Sequence, residues 1–221
     1  MAEIKCPKCG TTFKVDDSSY ADILKEKFDV DVFNPDLDKI KSILNEHKVK
    51  YEEAAGAGRL LDYLWKIIRK ESAGPYWLIH EPVELSPLAK KHAADPRVTE
   101  RFHPVILGSE LGNGYSELND PLDQLARFEE QQAMRDAGDS EAQMLDKDFV
   151  EMLEYGMPPA GGIGWGIDRM IMLLSGEESI REVITFPMNK NAQDLMMDAP
   201  TTVSQKQLDD VHILINESHL N

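Results

Sequence analysis

A chain of 221 residues, 42% hydrophobic and 29% charged, has room for one medium domain, or for a domain with a small appendage, and for a real core. Its 24 basic and 40 acidic residues leave a formal net charge of −16, which argues against non-specific binding of a phosphate backbone by the isolated chain, because such binding runs on Lys and Arg. No window nears the roughly 18 apolar residues that cross a bilayer, no apolar signal segment opens the chain, and two cysteines make no disulfide framework, so a non-membrane, cytoplasmic setting is expected.

In chain order, MAEIKCPKCGTTFKVDDSS (1–19) predicts two short strands around a Cys-Pro-Lys-Cys-Gly turn, followed by a short amphipathic helix from YADILKEKF. NPDLDKIKSILNEHKV (34–49) places Leu37, Ile40, Ile43 and Leu44 at helical spacing, with Asn34 as the expected N-cap and Pro35 in the first turn. After the loop EAAGAG, RLLDYLWKIIRK (59–70) carries a wide apolar face and predicts a buried helix. Tyr76–Glu81 reads as a strand, since Pro82 and Pro87 exclude a helix there. HPVILGSELGNGYSELNDP (103–121) reads as two strands broken near Gly108. Two helices follow: a charged one with Pro121 at its start and Gly138 past its end, and a short one with Asp146 as N-cap and Gly156 at its C-terminal side. IREVITFP and QKQLDDVHIL predict short elements in an otherwise polar tail, and the class is α+β.

The stretch GGIGWGIDRMIML (161–173) sets Gly162, Gly164 and Gly166 on alternate positions. With a side-chain period of two, one face of that strand is bare, a pattern that marks close approach of a ligand or of another backbone. Ile163, Trp165 and Ile167 are expected on the opposite, buried face. Asp168 is expected to cap the following helix, and Arg169 falls in its first turn, where a cation opposes the helix dipole and calls for an anion. Tight helix–strand packing with Arg169 merely exposed is the plain alternative, and spacing alone does not choose. In ELGNGYSELND the same alternation places Asn113, Tyr115 and Glu117 on one face, suited to a cationic, amphipathic small molecule. A solvated strand face is the competing account.

These segments together resemble the C-terminal half of the catalytic domain of class II lysyl-tRNA synthetases, from about Asn34 to Lys190. GGIGWGIDRMIMLL is similar to motif 3 of class II synthetases, while EPVELSPLAKKHAADPRVTERF, ELGNGYSELNDPLDQLARFEEQ and EYGMPPAGG resemble the lysine-specific members. The tail FPMNKNAQDLMMDAPTTVSQKQLDDVHI resembles the end of bacterial aspartyl-tRNA synthetases. The resemblance implies an antiparallel sheet flanked by helices, ATP-dependent adenylation of lysine, and transfer to tRNA. It gives Arg169 the adenine and terminal phosphate of ATP, and Gly162, Gly164 and Gly166, with Asp168 beside them, the strand under the nucleotide. Glu110 is implied near magnesium and the ATP phosphates. Asn113, Tyr115 and Glu117 match the amino-acid pocket, with Glu117 facing the lysine ammonium.

The family's anticodon-binding β-barrel has no room here, and motifs 1 and 2 are not found. His103 stands where lysine enzymes usually carry an acid near the metals. A homo-oligomer, or a second chain supplying motifs 1 and 2, is therefore expected, with tRNA reached through a partner. The organisation expected is a Cys-x-x-Cys hairpin arm and short helix over 1–30, a truncated synthetase-like core over 31–190, and a C-terminal extension over 191–221. Cys6 and Cys9 form half of a zinc ribbon. Zinc completed by a partner, free thiols and a plain structural turn all remain open for them. Three functions stand: a lysine-activating enzyme segment, a non-catalytic paralogue that binds ATP or lysine, and a partner-binding module whose activity sits in the cysteine arm.

Overall fold

Apolar residues three and four apart decide the first half of the chain. In this computed structural model, which describes residues 2–5, 12–52, 55–72, 74–139, 142–189, 191–194 and 196–215, they form three helices. Helix α1 (Tyr20–Phe28) buries Tyr20 and Leu24, α2 (Leu37–Glu46) buries Ile40 and Leu44, and α3 (Ala57–Glu71) buries Leu60, Leu61, Leu64, Trp65 and Ile68. The expected start of α2 shifts by two residues. Asp36, not Asn34, is the cap, because its carboxylate accepts from the backbone of both Asp38 and Lys39 at 3.1 Å.

The chain forms two compact units, Met1–Ile167 and Asp168–Asn221. The first holds the strands β1 (Ala2–Lys5), β2 (Thr12–Ser19), β3 (Tyr76–Ile79), β4 (Arg101–Ile106), β5 (Ser109–Glu110), β6 (Gly112–Ser116) and β7 (Gly161–Trp165). They lie in the order β1-β2-β3-β4-β6-β7, with β5 paired to β4. Leu78 from β3 and Val105 from β4 close the core against α1, α2 and α3. The expected antiparallel sheet is in fact mixed: β2 and β3 run parallel, and the other pairs run antiparallel. Helices α1 to α3 form the crossover that returns the chain to the same end of the sheet, which a parallel neighbour requires. Cys6 and Cys9 lie outside the described residues.

Helix α4 (Pro121–Asp136) pins the segment leading from β3 to β4. Its buried Gln124 donates to Pro87 O at 3.1 Å, and its buried Arg127 donates to Ser86 O at 3.1 Å and Ala89 O at 2.6 Å. Asp120 caps α4 by accepting from Leu122 N at 2.9 Å and Asp123 N at 3.4 Å. Asp120→Ala is expected to cost about 1 kcal/mol, read as a lowered urea midpoint with an unchanged slope. Helix α5 (Lys147–Glu154) starts on Asp146, as expected, and Gly156 follows it at φ 110°, a conformation that suits glycine.

The second unit, taken by itself, carries α6 (Ile167–Ser175) from Asp168 onward, a single 3₁₀ turn at Ile180–Glu182, and α7 (Gln205–Asp210). Ser204 and Gln207 cap α7 reciprocally. Asp168 is inside the first turn of α6 and so is not its cap. Among the described residues, no helix is long and apolar enough to cross a membrane.

Candidate functional site

The pairing of β6 with β7 puts Asn113 opposite Gly164 and Tyr115 opposite Gly162. Directly paired residues point to the same side of a sheet, so the polar row and the bare row are neighbours on one face. Extended backbone continues through a bridge between Glu117 and Ala89, and alternation carries Glu117 onto that face too. A Cβ built on Gly162 meets nothing within 4 Å, and one on Gly164 meets only Asn113 O at 3.9 Å. Gly112 and Gly114 serve another purpose. A Cβ at either would press within 3 Å of a β7 carbonyl, Gly164 O or Gly162 O respectively, so these two glycines allow close strand packing.

Gly166 lies past the end of β7, and its N–H donates to Leu111 O at 2.8 Å. Asp168 and Arg169 belong to the second unit. The expectation that Ile163, Trp165 and Ile167 are buried fails. Ile163 is half-buried, while Trp165 is 47% and Ile167 60% exposed. In the first unit β7 is the edge strand, paired on β6, and Ile167 already belongs to a helix, so the alternation stops at Trp165.

Simple alternation would place Glu110 on the opposite face from Asn113. The register reverses this. Phe102 pairs with Gly114 and Val105 with Glu110, so two residues of β4 (His103, Pro104) oppose three (Leu111, Gly112, Asn113). This bulge turns Glu110 to the side of Arg101, His103 and Val105, the same side as Tyr115.

On this same side of the sheet, within the first unit, lies a cavity of about 520 Å³, lined by Tyr20, Asp62, Trp65, Arg101, His103 and Glu110 among others. Its floor holds a buried ion cluster. Glu81 Oε2 is 2.8 Å from Arg101 Nη1, Glu81 Oε1 is 3.0 Å from His103 Nε2, and Ser86 Oγ donates to Glu81 at 3.1 Å. The His103 contact has ion-pair distance without hydrogen-bond alignment. His103 Nδ1 meets Gly112 O at 3.2 Å. Burial pushes the Glu81 carboxyl up, but contact with His103, the Arg101 charge and the Ser86 hydrogen bond outweigh it and hold the group below the usual carboxylate range. The Tyr20 hydroxyl, fully buried, is pushed well up by desolvation first and then by the charges of Glu81, Asp62 and Glu110.

Sequence reasoning missed Glu81 and Arg101. The available signal was positional: Arg101 stands two residues before His103, so any strand through both gives them one face.

The carboxylate of Glu110, where magnesium is expected, already has partners within the protein. The Glu110 carboxylate accepts from Trp65 Nε1 at 2.6 Å and pairs with Arg69 Nη1 at 3.1 Å. His103 beside it offers an imidazole, whereas magnesium takes oxygen ligands, commonly one or two carboxylates together with phosphates and waters. Among the described residues, no group of three or more His, Cys, Asp or Glu is arranged to hold a metal.

The family model for tRNA synthetases class II (D, K and N) matches residues 10–190. The lysine–tRNA ligase of Thermosipho africanus is 51% identical over 167 residues, which is 76% of this chain and 33% of that protein. That of Fervidobacterium nodosum is 46% identical over 187 residues, covering 85% and 36%. That of Lactiplantibacillus plantarum is 46% identical over 175 residues, covering 78% and 35%. The chain thus spans about a third of the length of the curated relatives it matches. Its mixed sheet with flanking helices, its bare motif 3 strand and the match over most of its length agree, and the chain belongs to the class II tRNA synthetases of the D, K and N group.

Proposed function

We propose that the open face beside β6 and β7 binds lysine and ATP, as the amino-acid and nucleotide pocket of a lysine–tRNA ligase. The carrying observation is the register that sets Asn113 and Tyr115 directly beside the two uncovered glycines. On this reading Glu117 accepts from the side-chain ammonium of lysine, the Tyr115 ring lies along its methylene stem, and Gly162 and Gly164 let a flat base approach the backbone. Gly166, Asp168 and Arg169 keep the nucleotide roles that the motif gives them, Arg169 as the guanidinium partner of a phosphate. If lysine is activated, its carboxylate oxygen bonds to the α-phosphorus while pyrophosphate leaves. Positioning and charge compensation drive such a step without a protein nucleophile. Acceptance by tRNA, suggested by the relatives' names, and any zinc at Cys6 and Cys9 belong to the same proposal.

A second reading, ligand binding without turnover, draws on Glu110. Its engagement by Trp65 and Arg69 leaves it poorly placed to serve a metal. Lysine-dependent ATP–pyrophosphate exchange separates the two: exchange supports activation, and binding without exchange supports the second reading.

Glu117→Gln tests the pocket. The amide keeps the shape and removes the charge, so L-lysine affinity is expected to fall about tenfold or more by calorimetry, with the melting midpoint unchanged. Equal affinity in the two proteins would remove Glu117 from the site.

A further inference from the structure

Arg101 joins a buried anion to the open polar face. Its Nη1 donates to Leu85 O and Ser86 Oγ, both at 3.0 Å, and pairs with Glu81 Oε2 at 2.8 Å. Its Nε donates to Asn113 Oδ1 at 2.9 Å. A guanidinium carries only donors, so the Asn113 atom facing it must be the carbonyl oxygen. The amide is thereby fixed in one of its two orientations, and Nδ2 lies on the branch turned away from Arg101. Asn113 is exposed, beside uncovered Gly164.

We infer that Arg101 is a positioning residue for the amino-acid pocket: by holding Asn113 Oδ1, it presents the Nδ2 hydrogens to the carboxylate end of a ligand whose ammonium end meets Glu117. This deepens the lysine-pocket reading and rests on it. Arg101 acts through Asn113 and need not touch the ligand. Its own placement comes from below, where Glu81 is gripped by Arg101, His103 and Ser86 together. The planar fork makes the arrangement possible, since one branch engages the carboxylate while Nε, fixed relative to it, is aimed at the amide. A lysine ammonium can neutralise Glu81 but has no second, rigidly oriented donor for Asn113.

The test compares L-lysine with cadaverine, which keeps both amines and lacks the carboxylate, by calorimetry on the wild type, Arg101→Lys and Glu117→Gln. Arg101→Lys retains a cation beside Glu81, and its thermal melt confirms that it folds. It is expected to weaken lysine binding about tenfold or more while leaving cadaverine affinity unchanged. Glu117→Gln is expected to weaken both ligands. Equal loss of lysine and cadaverine in Arg101→Lys, or no loss of lysine, overturns the inference.

The second readout needs no ligand. In ¹⁵N-labelled protein the Asn113 side-chain amide pair, assigned by its disappearance in Asn113→Ala, is expected to shift in Arg101→Lys. An unmoved pair overturns the inference. If the wild type fails to bind lysine, the pocket reading falls, and the amide signals still decide whether Arg101 orients Asn113.

Discussion

Glu81→Ala is expected to destabilise the protein by about 3–5 kcal/mol, because it removes the buried anion that pairs with the Arg101 guanidinium and lies against His103, leaving both facing a cavity floor without it. The Glu81 side chain is 9% exposed and that of His103 6%, so solvent compensates little. Glu81→Gln is expected to lose less, since an amide oxygen still accepts from Arg101 and Ser86. The same cluster sets an acid limit. The Glu81 carboxyl titrates below its usual range in the folded protein. Its contribution is therefore full above the unfolded pKa and is lost as pH falls through the lower, folded value. Urea denaturation at stepped pH measures both effects. The wild type is expected to lose stability on acidification more steeply than Glu81→Gln. Equal slopes would mean that the carboxylate is not the group responsible.

Two glycines in neighbouring strands are expected to respond in opposite ways. Gly114→Ala builds a Cβ 2.8 Å from Phe102 Cε2 and 2.9 Å from Gly162 O, and closer still to Phe102 Cζ. The Phe102 ring packs edge-on against Trp77 at 5.5 Å, and the carbonyl belongs to the ladder. Neither yields cheaply, and a loss of about 3 kcal/mol is expected, at the upper end of overpacking. A Cβ placed at Gly162 meets nothing within 4 Å, which leaves room for Gly162→Val. This variant is expected to melt at or slightly above the wild-type temperature, since a β-branched residue suits an extended edge. If Gly162→Val destabilises as much as Gly114→Ala, the face at Gly162 is covered and no ligand lies there.

Much of this was legible in the sequence, and the exceptions share one cause. Local signals held: the apolar stripe of α3, Pro121 and Asp146 at helix starts, and the break at Gly108 between two strands. The row Asn113, Tyr115, Glu117 was also readable, because alternation is a property of the strand itself. What depended on partners distant in the chain was not. Glu81 and Arg101 are twenty positions apart and meet only through the β3–β4 register, in which Ile79 pairs with Phe102. The extra residue that turns Glu110 to the face of Asn113 and Tyr115 exists only in the pairing of β4 with β5 and β6. The parallel alignment of β2 and β3 depends on three intervening helices. The burial expected for Trp165 fails because alternation says which residues share a face, not whether that face is covered.

Calorimetric titration of ATP into the wild type and Gly162→Val puts the bare strand itself to the test. Saturable binding to the wild type is expected, with a loss of about tenfold or more in the variant and no loss of thermal stability. Equal affinity in the two proteins would contradict this expectation, since a ligand resting against Gly162 cannot ignore three added carbons there.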